Sequence, residues 1–146
     1  MKRRTLLKNS LATTTGLLCP GIVMASYPNE AFESKDVAAA LSSALGSSEF
    51  AQSDQIMIKA PNVAENGSLV PIQVRSNIAN TDSITLVVES NSSPFVATFV
   101  LHGSDAFVST RIKMADTGNI LAIAKAGGVL HATKVEIKVT TGGCGG

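Results

Sequence analysis

The stretch Val129–Thr140, VLHATKVEIKVT, decides the fold. At its centre Val135-Glu136-Ile137-Lys138-Val139 sets three β-branched residues on one side and two charges on the other. Successive side chains of a strand point to opposite faces, so this alternation marks a strand with one dry face and one wet face. β-branched side chains also pack better on a pleated surface than in a helix. Gly127-Gly128, immediately before the stretch, is turn material.

Working outward, the same period-two alternation recurs from Ser53 onward between turn signals. It predicts strands at Gln55–Ala60, Leu69–Ser76, Ser83–Ser90, Phe95–Leu101, Phe107–Met114 and Asn119–Lys125, with Val129–Thr140 as the seventh. Pro61-Asn62, Glu65-Asn66-Gly67, Asn80-Thr81-Asp82, Asn91-Ser92-Ser93-Pro94, Gly103-Ser104-Asp105 and Asp116-Thr117-Gly118 separate them. Upstream, DVAAALSSAL (36–45) places Val37, Leu41, Ala44 and Leu45 at helical spacing and stops at Gly46. Residues 26–35 read as a polar lead-in. The expectation is a mainly β protein: an immunoglobulin-like antiparallel sandwich of about seven strands with one short N-terminal helix. The sandwich domain spans 26–141, and residues 142–146 form a flexible C-terminal arm.

Charge is unevenly placed. Lys2, Arg3, Arg4 and Lys8 lie in the first 25 residues, which hold no acid, and the remainder has eight basic against eleven acidic residues. A weakly acidic domain with few aromatics and no basic run is a poor nucleic-acid binder. The leader itself, a basic MKRRTLLK followed by an apolar run from Leu11 to Ala25, has the layout of a cleaved export signal. It is too short and interrupted to span a bilayer, so no membrane segment is expected in the mature form. Arg3-Arg4-Thr5-Leu6-Leu7-Lys8 resembles the twin-arginine type; a general secretory signal with chance paired arginines is the other reading. Cleavage is expected after Ala25, and under either reading the expected destination is outside the cytoplasm. Leu18-Cys19-Pro20 lacks the small residue that a lipoprotein signal places before its Cys.

Removal of the leader takes Cys19 with it and leaves Cys144 alone. An odd Cys outside the cytoplasm implies an intermolecular bond or a reactive thiol. It sits in Gly142-Gly143-Cys144-Gly145-Gly146. Glycine has no Cβ and the widest range of backbone angles, so these residues make a thin tether that fits a narrow channel. Fully extended, the five residues reach at most roughly 17 Å. A thiol suits covalent carriage through S–S bonds. No His, Lys or Arg stands in the arm to activate the sulfur. The tip therefore reads as a handle for other proteins to work on.

The chain resembles the SoxY family, the sulfur-carrier subunits of the periplasmic thiosulfate-oxidising Sox system. The resemblance rests on GGCGG at 142–146, PNVAENG at 61–67 with Val70-Pro71, and VSTRIKMA at 108–115. It implies an immunoglobulin-like fold that pairs with a SoxZ-like subunit, a second small sandwich. It implies Cys144 as the covalent attachment point and Gly142, Gly143, Gly145 and Gly146 as the swinging arm. The partners implied are a SoxAX-like haem c enzyme that couples thiosulfate to the thiol and a SoxB-like manganese hydrolase that releases sulfate. A sulfane dehydrogenase, where present, oxidises the remaining sulfur. The chain itself is then a carrier with no permanent cofactor, bearing thiosulfate or sulfane intermediates on Cys144, and not an enzyme.

Other residues offer less chemistry. His102 closes a predicted strand and His131 lies early in another, without metal-ligand spacing around either. Arg111 and Lys113 read as the wet face of a strand, with partner contact as the alternative. Ser109 and Thr110 belong to no hydrolase motif. Met57 and Met114 read as core filler. Three competing functions stand beside the carrier: an exported thiol-dependent redox enzyme, a sulfur donor using a Gly145-Gly146 thiocarboxylate, and an inert adhesion sandwich. The first usually needs a resolving Cys, and the second needs ATP that an exported protein does not meet.

Overall fold

The computed structural model describes residues 28–140; the expected leader and the expected arm lie outside this range. Among the described residues two helices, α1 (Asn29–Glu33) and α2 (Val37–Leu45), precede nine strands. These are β1 (Ala51–Gln52), β2 (Ile56–Lys59), β3 (Val63–Ala64), β4 (Val70–Ser76), β5 (Thr81–Val88), β6 (Phe95–Val100), β7 (Phe107–Ile112), β8 (Gly118–Ala126) and β9 (Val129–Val139). All seven strands expected from alternation are present, within two residues at most ends.

One sheet runs β1-β9-β8-β5-β6, with β3 also on β9; the other runs β2-β4-β7. The long strands pair antiparallel. Gly127 and Gly128 join β8 to β9 with φ of 56° and 79°. Positive φ at both positions is the two-residue hairpin turn whose twist matches the flanking strands, and glycine adopts it without strain. Between the sheets lie Ile56, Val70, Ile72 and Val74 against Ile84, Leu86, Val88, Ile120 and Ile137, closed by Val108, Ile112 and Met114. Each fully buried aliphatic side chain of this kind contributes about 1.5–3 kcal/mol relative to exposure.

Three sequence expectations need correction. First, the described residues hold two helices, not one. The lead-in NEAFE reads as polar, yet it turns Ala31 and Phe32 inward, and Phe32 meets Phe95 edge-on with ring centroids 4.7 Å apart. Ser93 Oγ donates a hydrogen bond to the Phe32 carbonyl and fixes the turn before β6 to this helix. Second, β5 and β8 do not alternate; they are buried along most of their length. The helices pack Ala31, Ala40 and Leu41 onto Val87, Leu121, Ile123, Leu130 and Ala132, so the large sheet is dry on both faces at its centre. Covered sheets select near-continuous apolar strands. Third, the sheet is not wholly antiparallel: β1 and β3 pair parallel with β9. Both are two-residue strands, too short for a periodic signal.

The helix expected at 36–45 is α2, with Asp36 as its cap: its Oδ2 accepts from the Ala39 N–H at 2.9 Å. Such a cap stabilises a helix by about 1 kcal/mol. No helix among the described residues is long and apolar enough to cross a membrane.

Candidate functional site

Cys144 and Gly142, Gly143, Gly145 and Gly146 lie outside the described residues. The structure describes the stretch that precedes them: the last residues of β9, up to Val139, with hydrogen bonds on both edges, and Thr140 just beyond. On one edge β3 runs parallel to β9, with Val63 opposite Lys138 and Ala64 opposite Val139. The Lys138 N–H donates to the Asn62 carbonyl at 3.1 Å and the Thr140 N–H to the Ala64 carbonyl at 3.0 Å. On the other edge Thr117 Oγ1 accepts from the Val139 N–H at 2.9 Å. β8 has already ended its pairing at Gly118 opposite Ile137, so Thr117 continues the ladder with a side chain.

The segments flanking this point are in turn tied together. Gly67 packs so closely that a Cβ there would lie 2.4 Å from the Met114 carbonyl oxygen and 2.9 Å from Val139 Cγ1. Its own carbonyl accepts from the Met114 N–H at 2.7 Å. Asn91 clasps the chain just beyond: Nδ2 donates to the Lys113 carbonyl at 2.7 Å and Oδ1 accepts from the Ala115 N–H at 2.8 Å. Thus two stretches distant in sequence, 61–67 and 113–117, meet around the last residues of β9. Sequence reading took Glu65-Asn66-Gly67 and Asp116-Thr117-Gly118 as turns. It missed that the segments 61–67 and 113–117 hold Lys138, Val139 and Thr140, and it missed Asn91, which clasps Lys113 and Ala115. The only signal was the resemblance of 61–67 and 108–115 to family motifs, which carried no geometry.

The remaining sequence candidates stay apart from the end of β9 or do not form a site. His102 is exposed and lies beyond the end of β6, not within the strand. His131 is half-buried in β9, opposite Ala124 and beside Ala51. No group of three His, Cys, Asp or Glu among the described residues is placed to hold a metal ion. Met114 is 2% exposed, as a core residue should be, but Met57 is 50% exposed and is not core filler. Alternation along β2 turns Ile56 inward and Met57 outward, opposite Arg75.

Arg111 and Lys113 are exposed, as expected. With Lys59 and Arg75, Arg111 stands on the outer face of β2-β4-β7, where the pairing sets Met57, Arg75 and Phe107 in one row and Lys59, Gln73 and Ser109 in the next. The Arg75 guanidinium lies 4.8 Å from the Phe107 ring centroid. Folding thus gathers cations that are scattered in sequence. A shallow groove beside them, lined by Lys59, Pro61, Pro71, Gln73 and Ser109, offers no nucleophile with a base.

The family model for the sulfur oxidation protein SoxY matches residues 41–144, a span that runs through the end of β9 to Cys144. Among solved structures, the sulfur carrier protein SoxY from Chlorobium limicola f thiosulfatophilum is similar at 40% identity and a TM-score of 0.62. The match covers 69% of this chain and 93% of that one. A PKD domain of an M14-like peptidase from Thermoplasmatales archaeon SCGC AB-540-F20 is more distant, at 15% identity and a TM-score of 0.40 over 59% of this chain and 93% of that one. No curated protein matches the sequence. The alternating strands, the sandwich they build and a family match that ends on Cys144 converge on one assignment: the chain belongs to the SoxY family.

Proposed function

We propose that this chain is a sulfur carrier that holds its cargo covalently on the thiol of Cys144. The observation that carries this reading is the family match extending to Cys144, together with a 40% identical solved relative that is a sulfur carrier protein. Loading joins the Cys144 sulfur to the outer sulfur of thiosulfate; the thiol proton leaves to solvent and two electrons pass to a SoxAX-like haem c enzyme. Hydrolysis by a SoxB-like manganese enzyme then adds water to the terminal sulfone, releases sulfate and two protons, and leaves a persulfide anion on the carrier. A sulfane dehydrogenase, where present, oxidises that sulfur.

Gly142, Gly143, Gly145 and Gly146 keep the tether narrow enough to enter each of these sites. Covalent attachment raises the effective concentration of the intermediate at each site. A SoxZ-like subunit is the permanent partner, and the complex works in the periplasm after twin-arginine export directed by residues 1–25, which are then cleaved. The chain performs none of the catalysis and keeps no permanent cofactor.

Intact mass spectrometry of protein purified from thiosulfate-grown cells tests the reading. The expected result is a mass gain of one thiosulfate moiety that reductant removes and that Cys144→Ala lacks. An adduct surviving that substitution, or none at all while thiosulfate is consumed, overturns the reading.

A further inference from the structure

Charge is sorted by face as well as by sequence. Beyond residue 25 the chain has eight basic and eleven acidic residues, and its two arginines there are Arg75 and Arg111. Pairing of β2, β4 and β7 brings both to the outer face of the small sheet together with Lys59. Met57, Arg75 and Phe107 form one row across the three strands, Lys59 stands in the next row and Arg111 in the one after. All five are exposed, and the other outward residues of these strands are uncharged. The face therefore holds three cations and no carboxylate in a domain richer in acids than in bases. Asp54 and Asp105 stand in the loops before β2 and β7, outside the paired strands.

The face has the composition of a contact surface. Arg, Met and aromatic residues are enriched at interfaces, and an exposed Arg with an aromatic neighbour is a common anchor. Met57 is 50% exposed and Phe107 39% exposed. The Arg75 guanidinium lies 4.8 Å from the Phe107 ring centroid, a stacking that holds the planar fork in place. Such a fork matches a carboxylate with two parallel hydrogen bonds. The complementary surface carries carboxylates around an apolar centre. Three strands about 4.8 Å apart and five residues long present roughly 250 Å². A partner in a standard interface buries about 800 Å². A contact this small and this charged is steered together quickly, weakens with salt and releases. It suits an enzyme that visits and leaves, not a permanent subunit.

Position links the face to the cargo end. β7 leads from Arg111 to Met114, whose N–H bonds the Gly67 carbonyl, and Gly67 packs on Val139. Three residues, at most roughly 11 Å, separate Arg111 from Met114, and the four from Thr140 to Cys144 span at most roughly 14 Å. A domain about 30 Å across, seated over Arg111, has the tip within its reach.

We propose that the outer face of β2-β4-β7 is the docking site for an enzyme that acts on Cys144 and that meets it with an acidic surface around an apolar centre. This rests on the carrier reading above.

The test adds purified protein to extract of cells lacking their own copy, supplies thiosulfate, and follows the mass of the chain with time at low and high salt. Arg75→Glu with Arg111→Glu is compared with the parent and with the neutral pair Arg75→Gln and Arg111→Gln. A control pair, Lys35→Glu with Lys134→Glu, makes the same change of net charge at exposed cations outside the face. Alkylation by iodoacetamide reports the bare thiol. The expected result at low salt is modification slowed about tenfold by the Glu pair and less by the Gln pair. Added salt slows the parent more than the Glu pair, the control keeps the parent's rate, and alkylation is the same throughout. Equal rates in parent and Glu pair overturn the dock, as does equal slowing by the control, which would make net charge the cause. Loss of a co-eluting subunit or of a self-dimer from the Glu pair also overturns it, because the face then belongs to a permanent partner or a second copy. Where the Glu pair does not fold, the Gln pair decides by the same criteria. A parent that is never modified sinks the carrier reading itself, whereas a modified parent beside an unimpaired Glu pair sinks the dock alone.

Discussion

Gly67 and Cys144 show how differently single residues act in this protein. At Gly67 there is no room for a methyl group: the nearest neighbour is a backbone carbonyl, which cannot turn aside. Gly67→Ala is expected to destabilise the fold by about 1–3 kcal/mol, the usual cost of overpacking, measured as a shift in the urea midpoint. Cys144→Ser is expected to leave that midpoint unchanged and to abolish thiosulfate-dependent respiration of the cell; retained respiration would remove the thiol from the mechanism. Cys144 was noticed in sequence because an odd thiol after an expected export leader needs no neighbours to draw attention, and it lies outside the described residues. Gly67 was not, since its importance lies in Met114 and Val139, which reach it only in the folded chain. Met57 was misread for a related reason. Apolar character alone does not say which face of a strand a residue occupies, and here Ile56 sets the phase.

At the level of elements, legibility follows length. The strands β4, β7 and β9 announced themselves by alternation and lie within two residues of their expected ends. The straps β1 and β3 carry two residues each and owe their existence to the free edge of β9, a tertiary cause. The helix α2 was readable because its cap, apolar spacing and stop are local, whereas α1 exists through its contact with Phe95. Asp36→Ala is expected to lower stability by about 1 kcal/mol through loss of the bond to Ala39, measured by thermal melting. Thr117→Val removes the side-chain partner of Val139 and is expected to cost about 0.5–1.5 kcal/mol. Its distinguishing mark is faster hydrogen exchange at Val139 with the exchange of β5 unaltered.

For the molecule as a whole, the central feature is a sheet covered on both faces, by β2-β4-β7 on one side and by the helices on the other. Leu41→Ala, at 1% exposure under the helical layer, is expected to cost about 2–5 kcal/mol, with the size set by how far α2 collapses into the gap. A loss well under that range would mean that the helical layer is not integral to the fold. The sandwich was legible from composition and alternation, whereas the third layer was hidden in runs such as ITLVV and ILAIA, which read equally as strands with one wet face.

Under the carrier role proposed above, withdrawing the thiol-bearing tip from a snug cavity would pull on the strand that precedes it. The ladder bonds of β9 to β8, β1 and β3 lie across the strand axis. A pull from beyond Thr140 therefore loads these bonds together in shear instead of peeling them one at a time. The two short parallel straps, invisible in the sequence, add to the long β8 ladder on the opposite edge of β9.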